Sequence, residues 1–90
     1  MYGFKTQLKN NEAHVISVLE NSSAFESGLL ENDHILSING VKVNQNLDKW
    51  LSYFHSSTIE LSIFRNQKLK TITLLAPNNH QFYNYKIEKI

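Results

Sequence analysis

Four histidines, three closely spaced serines and three glycines are the residues of this 90-residue chain whose chemistry is to be tested first. His14, His34, His55 and His80 lie far apart, and none belongs to a His-Glu-x-x-His pair. The helical zinc constellation of metallopeptidases is therefore absent. His34 directly follows Asp33, and neighbours in a strand point to opposite faces, which disfavours a metal shared by these two. Each histidine reads as an exposed polar residue. Ser22, Ser23 and Ser27 precede Asp33, but no recognisable motif places a base beside them, and helix capping explains them better than nucleophilic attack. Gly3, Gly28 and Gly40 are too widely separated to form a phosphate-cradling loop. The chain has no cysteine, which excludes thiol chemistry and disulfide stapling and leaves the compartment open. The expectation is a chain that is not an enzyme by itself and has no metal site and no cofactor.

The bulk numbers leave room for one small domain. A chain of this length buries about 60–65% of its unfolded surface, enough for one modest core. Hydrophobic residues make up 41%, as a folded chain needs, and the formal net charge is +1. The lysines are scattered, whereas a nucleic-acid binder concentrates its basic groups on one face. No apolar run approaches the roughly 20 residues that span a bilayer, and no signal peptide is visible at the start. The strand-like sequence directly after Met1 is compatible with a unit cut from a longer protein.

Local patterns give the elements that must position any site. Residues 4–8 and 13–19 read as strands joined by a hairpin at "KNNE", and the apolar residues on both sides of the second predict a strand covered on both faces. Ser22 or Ser23 can cap a short helix, Ser23 and Glu26 have capping-box spacing, and Gly28 stops it. Asn39-Gly40 between Ile38 and Val41 predicts a hairpin with a type I′ turn, because both central residues need positive φ. Leu47, Trp50, Leu51 and Phe54 fall at i, i+3, i+4 and i+7, one apolar helix stripe that Asn44 or Asn46 can cap. Trp50 belongs to this stripe and is expected in the core; Tyr53 lies off it. Ile59, Leu61 and Ile63 alternate with polar residues, "RNQK" turns, and Leu69, Ile72 and Leu74 continue. A break at 77–79 precedes a last strand candidate at 81–90. The expected fold is mainly β (α+β): a small, partly open barrel or sandwich of five to seven strands, capped by one short and one longer helix.

At this point the pattern resembles a known family. "SSAFESGLLENDHILSINGVKV" is similar to the signature of bacterial-type PDZ domains, with a Ser-Pro-Ala-like start, an Ala-Gly-Leu-like helix end, a Gly-Asp and an Ile-Leu-x-Ile-Asn-Gly-x-x-Val run. "YGFK" resembles the aromatic-Gly-aromatic form of the carboxylate-binding loop that leads into the binding strand. "IELSIFRNQKLKTITL" resembles the final hairpin, including the arginine that closes its first strand. Ser23, Ser27 and Asn32 depart from the usual proline, alanine and glycine; asparagine tolerates left-handed φ, so the last departure is mild. The resemblance covers residues 2–75, within a single domain of 1–90 whose residues 76–90 form a C-terminal strand or extension. Arg65, Leu69 and Leu75 also resemble a hairpin in the C-terminal PDZ domain of glycyl aminopeptidase-like metallopeptidases (family M61).

The resemblance implies a peptide- or protein-interaction module. An extended peptide or a protein C-terminus would add as an antiparallel strand beside Phe4, Thr6 and their neighbours, in a groove closed by the Leu47–Phe54 helix. Tyr2, Gly3 and Phe4 would present backbone amides to the terminal carboxylate, and Phe4, Leu47 or Leu51 would line the pocket for the last side chain. Two alternatives stand beside this one. Tyr2 and Phe4 plug the core and Phe82–Ile90 covers the edge strand, so that the domain docks on its neighbour in a larger peptidase; or the domain is a stand-alone scaffold.

Overall fold

Strand pairing in this protein starts at three asparagine turns. The computed structural model describes residues 2–55 and 57–76. In it, Asn10-Asn11, Asn39-Gly40 and Asn66-Gln67 all have positive φ at both positions (53° and 66°, 50° and 82°, 52° and 66°). Such pairs match the right-handed twist of the strands they join. They connect β1 (Phe4–Lys9) to β2 (Glu12–Val18), β3 (His34–Ile38) to β4 (Val41–Lys42), and β5 (Ile59–Arg65) to β6 (Lys68–Leu74). The Asn39 turn is also tied to β5: its amide donates to Glu60 O and its side-chain oxygen accepts from Glu60 N, both at 2.8 Å.

These strands form one antiparallel sheet in the order β1-β2-β3-β5-β6, with β4 added to β3. Two helices complete it, α1 (Ser23–Ser27) and α2 (Leu47–Tyr53). The mainly β architecture and the two unequal helices match the expectation. The strand expected at 81–90, and with it the extension from residue 77 onward, lies outside the described residues. Among the described residues no helix is long and apolar enough to cross a membrane.

Period-two burial decides which face of the sheet is core. Ile59, Leu61 and Ile63 of β5 are fully buried, as is Leu74 of β6. Ile35 and Ile38 of β3 are too, three apart because the register with β5 shifts between Ile35 and Ser37. On β2 the outcome differs from the sequence reading. Ala13 and Val15 are buried, but Ile16 is 46% exposed, so only one face of this strand is covered among the described residues. The register explains it: Lys5 faces Ser17 and Thr6 faces Val15, leaving Ile16 as the extra residue of a bulge.

The helix caps also refine the reading. Ser22, not Ser23, is the N-cap of α1: its Oγ accepts from Phe25 N at 3.1 Å, and Ser23 becomes the first helical residue. The Ser23–Glu26 spacing is thus one residue out of phase with a capping box. Gly28 ends α1 at φ 94°, and Asn32, where the resembled family has glycine, has φ 77°. At α2, Asn46 occupies the N-cap position, but its Oδ1 accepts from Asn44 N at 3.1 Å instead of capping a helix amide.

One buried ion pair joins these parts. Asp33 is 1% exposed. Its carboxylate accepts from Arg65 Nε and Nη2 at 2.7 Å each and from Leu30 N at 2.9 Å, while Arg65 Nη2 also donates to Gly28 O at 2.9 Å. The hydrogen bond to Asp33 outweighs burial and raises the Arg65 pKa above its ordinary value. The end of α1, the start of β3 and the end of β5 meet at this fork. Replacing Arg65 with Met strands a buried carboxylate, so Arg65→Met is expected to lower unfolding stability by about 3–5 kcal/mol in urea titrations. The double variant Asp33→Leu/Arg65→Met should recover much of that loss, because no charge is then left unpaired.

Candidate functional site

An open strand edge is the most exploitable feature of this sheet. β1 pairs only with β2 among the described strands, so its second edge is unpaired within that set. Which residues present their backbone there follows from the ladder. Leu19 N donates to Gly3 O at 2.7 Å, which makes Phe4 and Val18 a non-hydrogen-bonded pair. Val15 spends its N–H on Asp33 O and its C=O on Asn32 N, both on the β3 side, so its β1 partner Thr6 is likewise free of it. The N–H and C=O groups of Phe4 and Thr6 therefore point to the open edge.

The loop before β1 is held from below. The Tyr2 carbonyl accepts from Ala24 N at 2.9 Å and the Gly3 carbonyl from Leu19 N, so both carbonyls are turned inward. No acceptor among the described residues takes the Gly3 amide. Gly3 has φ 94°, and a Cβ there would lie 2.1 Å from Ser22 Cβ. Glycine is required twice over, by the torsion and by the contact. Tyr2 is 3% exposed, and its hydroxyl lies between the carbonyl oxygens of Phe54 and Ser57, to which it donates. The loop is thereby anchored to the end of α2.

Across the edge stands α2. Tyr2 and Phe4 on one side, and Asp48, Leu51 and Ser52 on the other, enclose a cavity of 240 Å³. That is smaller than the roughly 300–1,000 Å³ of small-molecule sites and suits a single side chain. The three α2 residues fall at i, i+3 and i+4, one helix face. A second hollow of 420 Å³ begins at Gly3 and Phe4 and runs along Lys5 and Ser17 to Leu19.

Of the residues singled out by sequence, Tyr2, Phe4 and Leu51 line the cavity, Gly3 lines the second hollow together with Phe4, and Thr6 lies further along the same strand. Leu47 is 3% exposed and belongs to the core. Asp48 and Ser52 escaped the sequence reading, although their spacing from Leu51 is the available signal. Trp50 packs against the core and stacks on Phe54 with ring centroids 6.0 Å apart. Tyr53, off the stripe, is 72% exposed. The Ser22 and Ser27 hydroxyls donate to Leu19 O and Ala24 O, each at 2.7 Å, and of the two only Ser22 also caps α1.

Burial raises the pKa of the Tyr2 phenol, against a smaller lowering by its bond to Ser57. The folded state therefore holds this proton more tightly than the unfolded chain does. The resulting stability is complete below the ordinary tyrosine value of about 10 and is lost as pH rises through the folded-state value. Urea midpoints should fall more steeply between about pH 10 and the folded-state value in the native chain than in Tyr2→Phe, which has no proton to lose at that position. Gly3→Ala adds positive-φ strain to a clash with Ser22 and is expected to cost about 2–4 kcal/mol in the same titration. Gly3→Ala/Ser22→Gly should regain the clash portion.

A family model described as PDZ domain matches residues 2–75. No curated protein matches the chain. Among solved structures, it is similar to an aminopeptidase N family protein from Idiomarina loihiensis, with TM-score 0.73 and 23% identity over 88% of this chain and 14% of that one. It is also similar to the HtrA3 PDZ domain bound to a phage-derived ligand (TM-score 0.73, 15% identity, 83% of this chain and 82% of that one). An HtrA-type protease with a decapeptide gives TM-score 0.72 at 16% identity, over 84% of this chain and 28% of that one. The chain thus spans a small part of both peptidase-related proteins. The family match extends over the unpaired edge, the loop beneath it and the helix opposite, and this chain belongs to the PDZ domain family.

Proposed function

We propose that this domain binds an extended peptide, with a free C-terminus at its end, as a strand added to β1. The observation that carries the reading is the outward backbone of Phe4 and Thr6 across from α2, at the end of which the Gly3 amide has no acceptor among the described residues. Strand addition uses such an edge for backbone pairing and a side-chain pocket for selectivity. Consecutive amides beside a glycine form a nest for an anion, here the ligand carboxylate. Tyr2, Gly3, Phe4, Thr6 and Leu51 form the binding set; Leu47 supports Leu51 from the core. Asp48 puts an acidic group on the helix wall and favours a ligand with a basic side chain facing it. The solved relatives seen with a decapeptide and with a phage-derived ligand support the reading by analogy of fold.

Four or five backbone hydrogen bonds at about 0.5–1.5 kcal/mol each, with one buried side chain at about 1.5–3 kcal/mol, must offset the lost freedom of the ligand. Micromolar affinity, about −8 kcal/mol, is the upper bound. A second reading is favoured by the small share of the aminopeptidase N family protein that the chain spans. In it, the domain is an accessory unit of a larger peptidase of the M61 type, and the same face docks on a neighbouring domain. Titrating free-carboxylate peptides of a C-terminal library against their amidated twins separates the two. Carboxylate capture predicts at least about a tenfold loss on amidation, some 1.4 kcal/mol. Absence of binding at hundreds of micromolar, a range set by about −5 kcal/mol, favours docking.

A further inference from the structure

The geometry points to a divalent transition-metal site, zinc by preference, on the outer face of β2 and β3 and built from Glu12, His14 and His34. The sequence reading placed each histidine alone on the surface, because His14 and His34 are separated by a helix and two connections. The sheet sets them directly opposite each other. Val15 N donates to Asp33 O at 2.9 Å, so this is a non-hydrogen-bonded pair, the kind whose side chains approach most closely. The two imidazoles stack with centroids 4.8 Å apart and planes 20° from parallel. Glu12, two residues before His14, shares its face of the strand, and its Oε1 lies 3.5 Å from His14 Nε2. One ligand atom from each of the three residues lies within 4.8 Å of the other two.

Zinc bonds of about 2.0–2.1 Å in a tetrahedron place ligand atoms roughly 3.3 Å apart. The present spacing closes to that by side-chain rotation: both histidines are half-buried and Glu12 is exposed, so the side chains have room to turn. Two imidazoles and a carboxylate suit zinc, nickel or copper and not magnesium or calcium, which take oxygen ligands. Three protein ligands leave one position for water or an outside donor. A hollow of 500 Å³ bordered by Glu12 and His34 adjoins that position, with Lys42 as the cation on its rim. The face lies opposite the core surface of β2, away from the groove, so metal and peptide sites are separate.

The unaltered full chain is titrated with zinc chloride while its four histidine ring resonances are followed by NMR and heat is followed by calorimetry. Expected are one-to-one saturation, shifts at His14 and His34 with His55 and His80 unmoved, and a higher melting temperature. His14→Gln and His34→Gln should each weaken zinc by about tenfold or more, at least what losing an outer-shell partner costs. Magnesium chloride should produce no shift. Failure to saturate at millimolar zinc, equivalent to less than about −4 kcal/mol, or shifts confined to His55 or His80, overturns the site. The resonance readout needs no variant, so a substitution that impairs folding leaves the test intact.

Discussion

The contact between the Gly3 backbone and the Ser22 side chain is the constraint from which the groove follows. With 2.1 Å between the position of a would-be Cβ and Ser22 Cβ, the loop can lie this close to the N-cap of α1 only without a side chain. From that position Tyr2 O reaches Ala24 N and Gly3 O reaches Leu19 N. Ser22 meanwhile caps the helix whose first residues receive the loop. One hydroxyl and one missing Cβ therefore fix where β1 begins and turn the two carbonyls before it inward. The amides are left on the other side, where the open edge starts.

A core of this size gives little surplus stability, and the structure supplements it with specific ties. Asp33, accepting three hydrogen bonds at 2.7–2.9 Å, is a buried charge that is fully compensated. Such a pair adds little net stability over a well-packed apolar substitute, but it makes any arrangement that separates its partners costly. Its geometry requires α1, β3 and β5 to meet in one way. The Tyr2 hydroxyl does the same for the loop and the end of α2. The Tyr2 tie holds the two elements that flank the groove, which gives the cavity between Phe4 and Leu51 fixed walls without filling it.

Two surfaces of the sheet thereby differ in what they present. The edge of β1 presents backbone groups, which in the proposed function pair with an extended peptide with little regard to its side chains; selectivity would then fall to the α2 wall at Asp48, Leu51 and Ser52. The outer face of β2 and β3 presents side chains, brought together by register alone. The bulge at Ile16 marks the boundary, since it adjusts β2 between the residues pairing with Lys5 and those pairing with Thr6.

Much of this protein was legible in one dimension. The Asn-Gly turn, the alternation of Ile59, Leu61 and Ile63, the helical stripe from Leu47 to Phe54 and the stop at Gly28 are local rules, set by torsional preference and by the period of burial, and each holds in the fold. The open face of Ile16 and the choice of Ser22 over Ser23 as the cap of α1 were not legible, because a bulge and a one-residue phase shift leave the hydrophobic pattern nearly unchanged. Asp33 was legible only as the acid of the resembled Gly-Asp; its pairing with Arg65, thirty-two positions later, was not. Asp48 and Ser52 became groove residues, and His14 and His34 a pair, for the same reason. Sequence alone determined the local elements, since those depend on neighbours along the backbone, whereas the need for glycine at position 3 rests also on Ser22, nineteen residues away. Only tertiary structure decided which side chains meet, because strand register and helix rotation are settled by packing of the whole core at once.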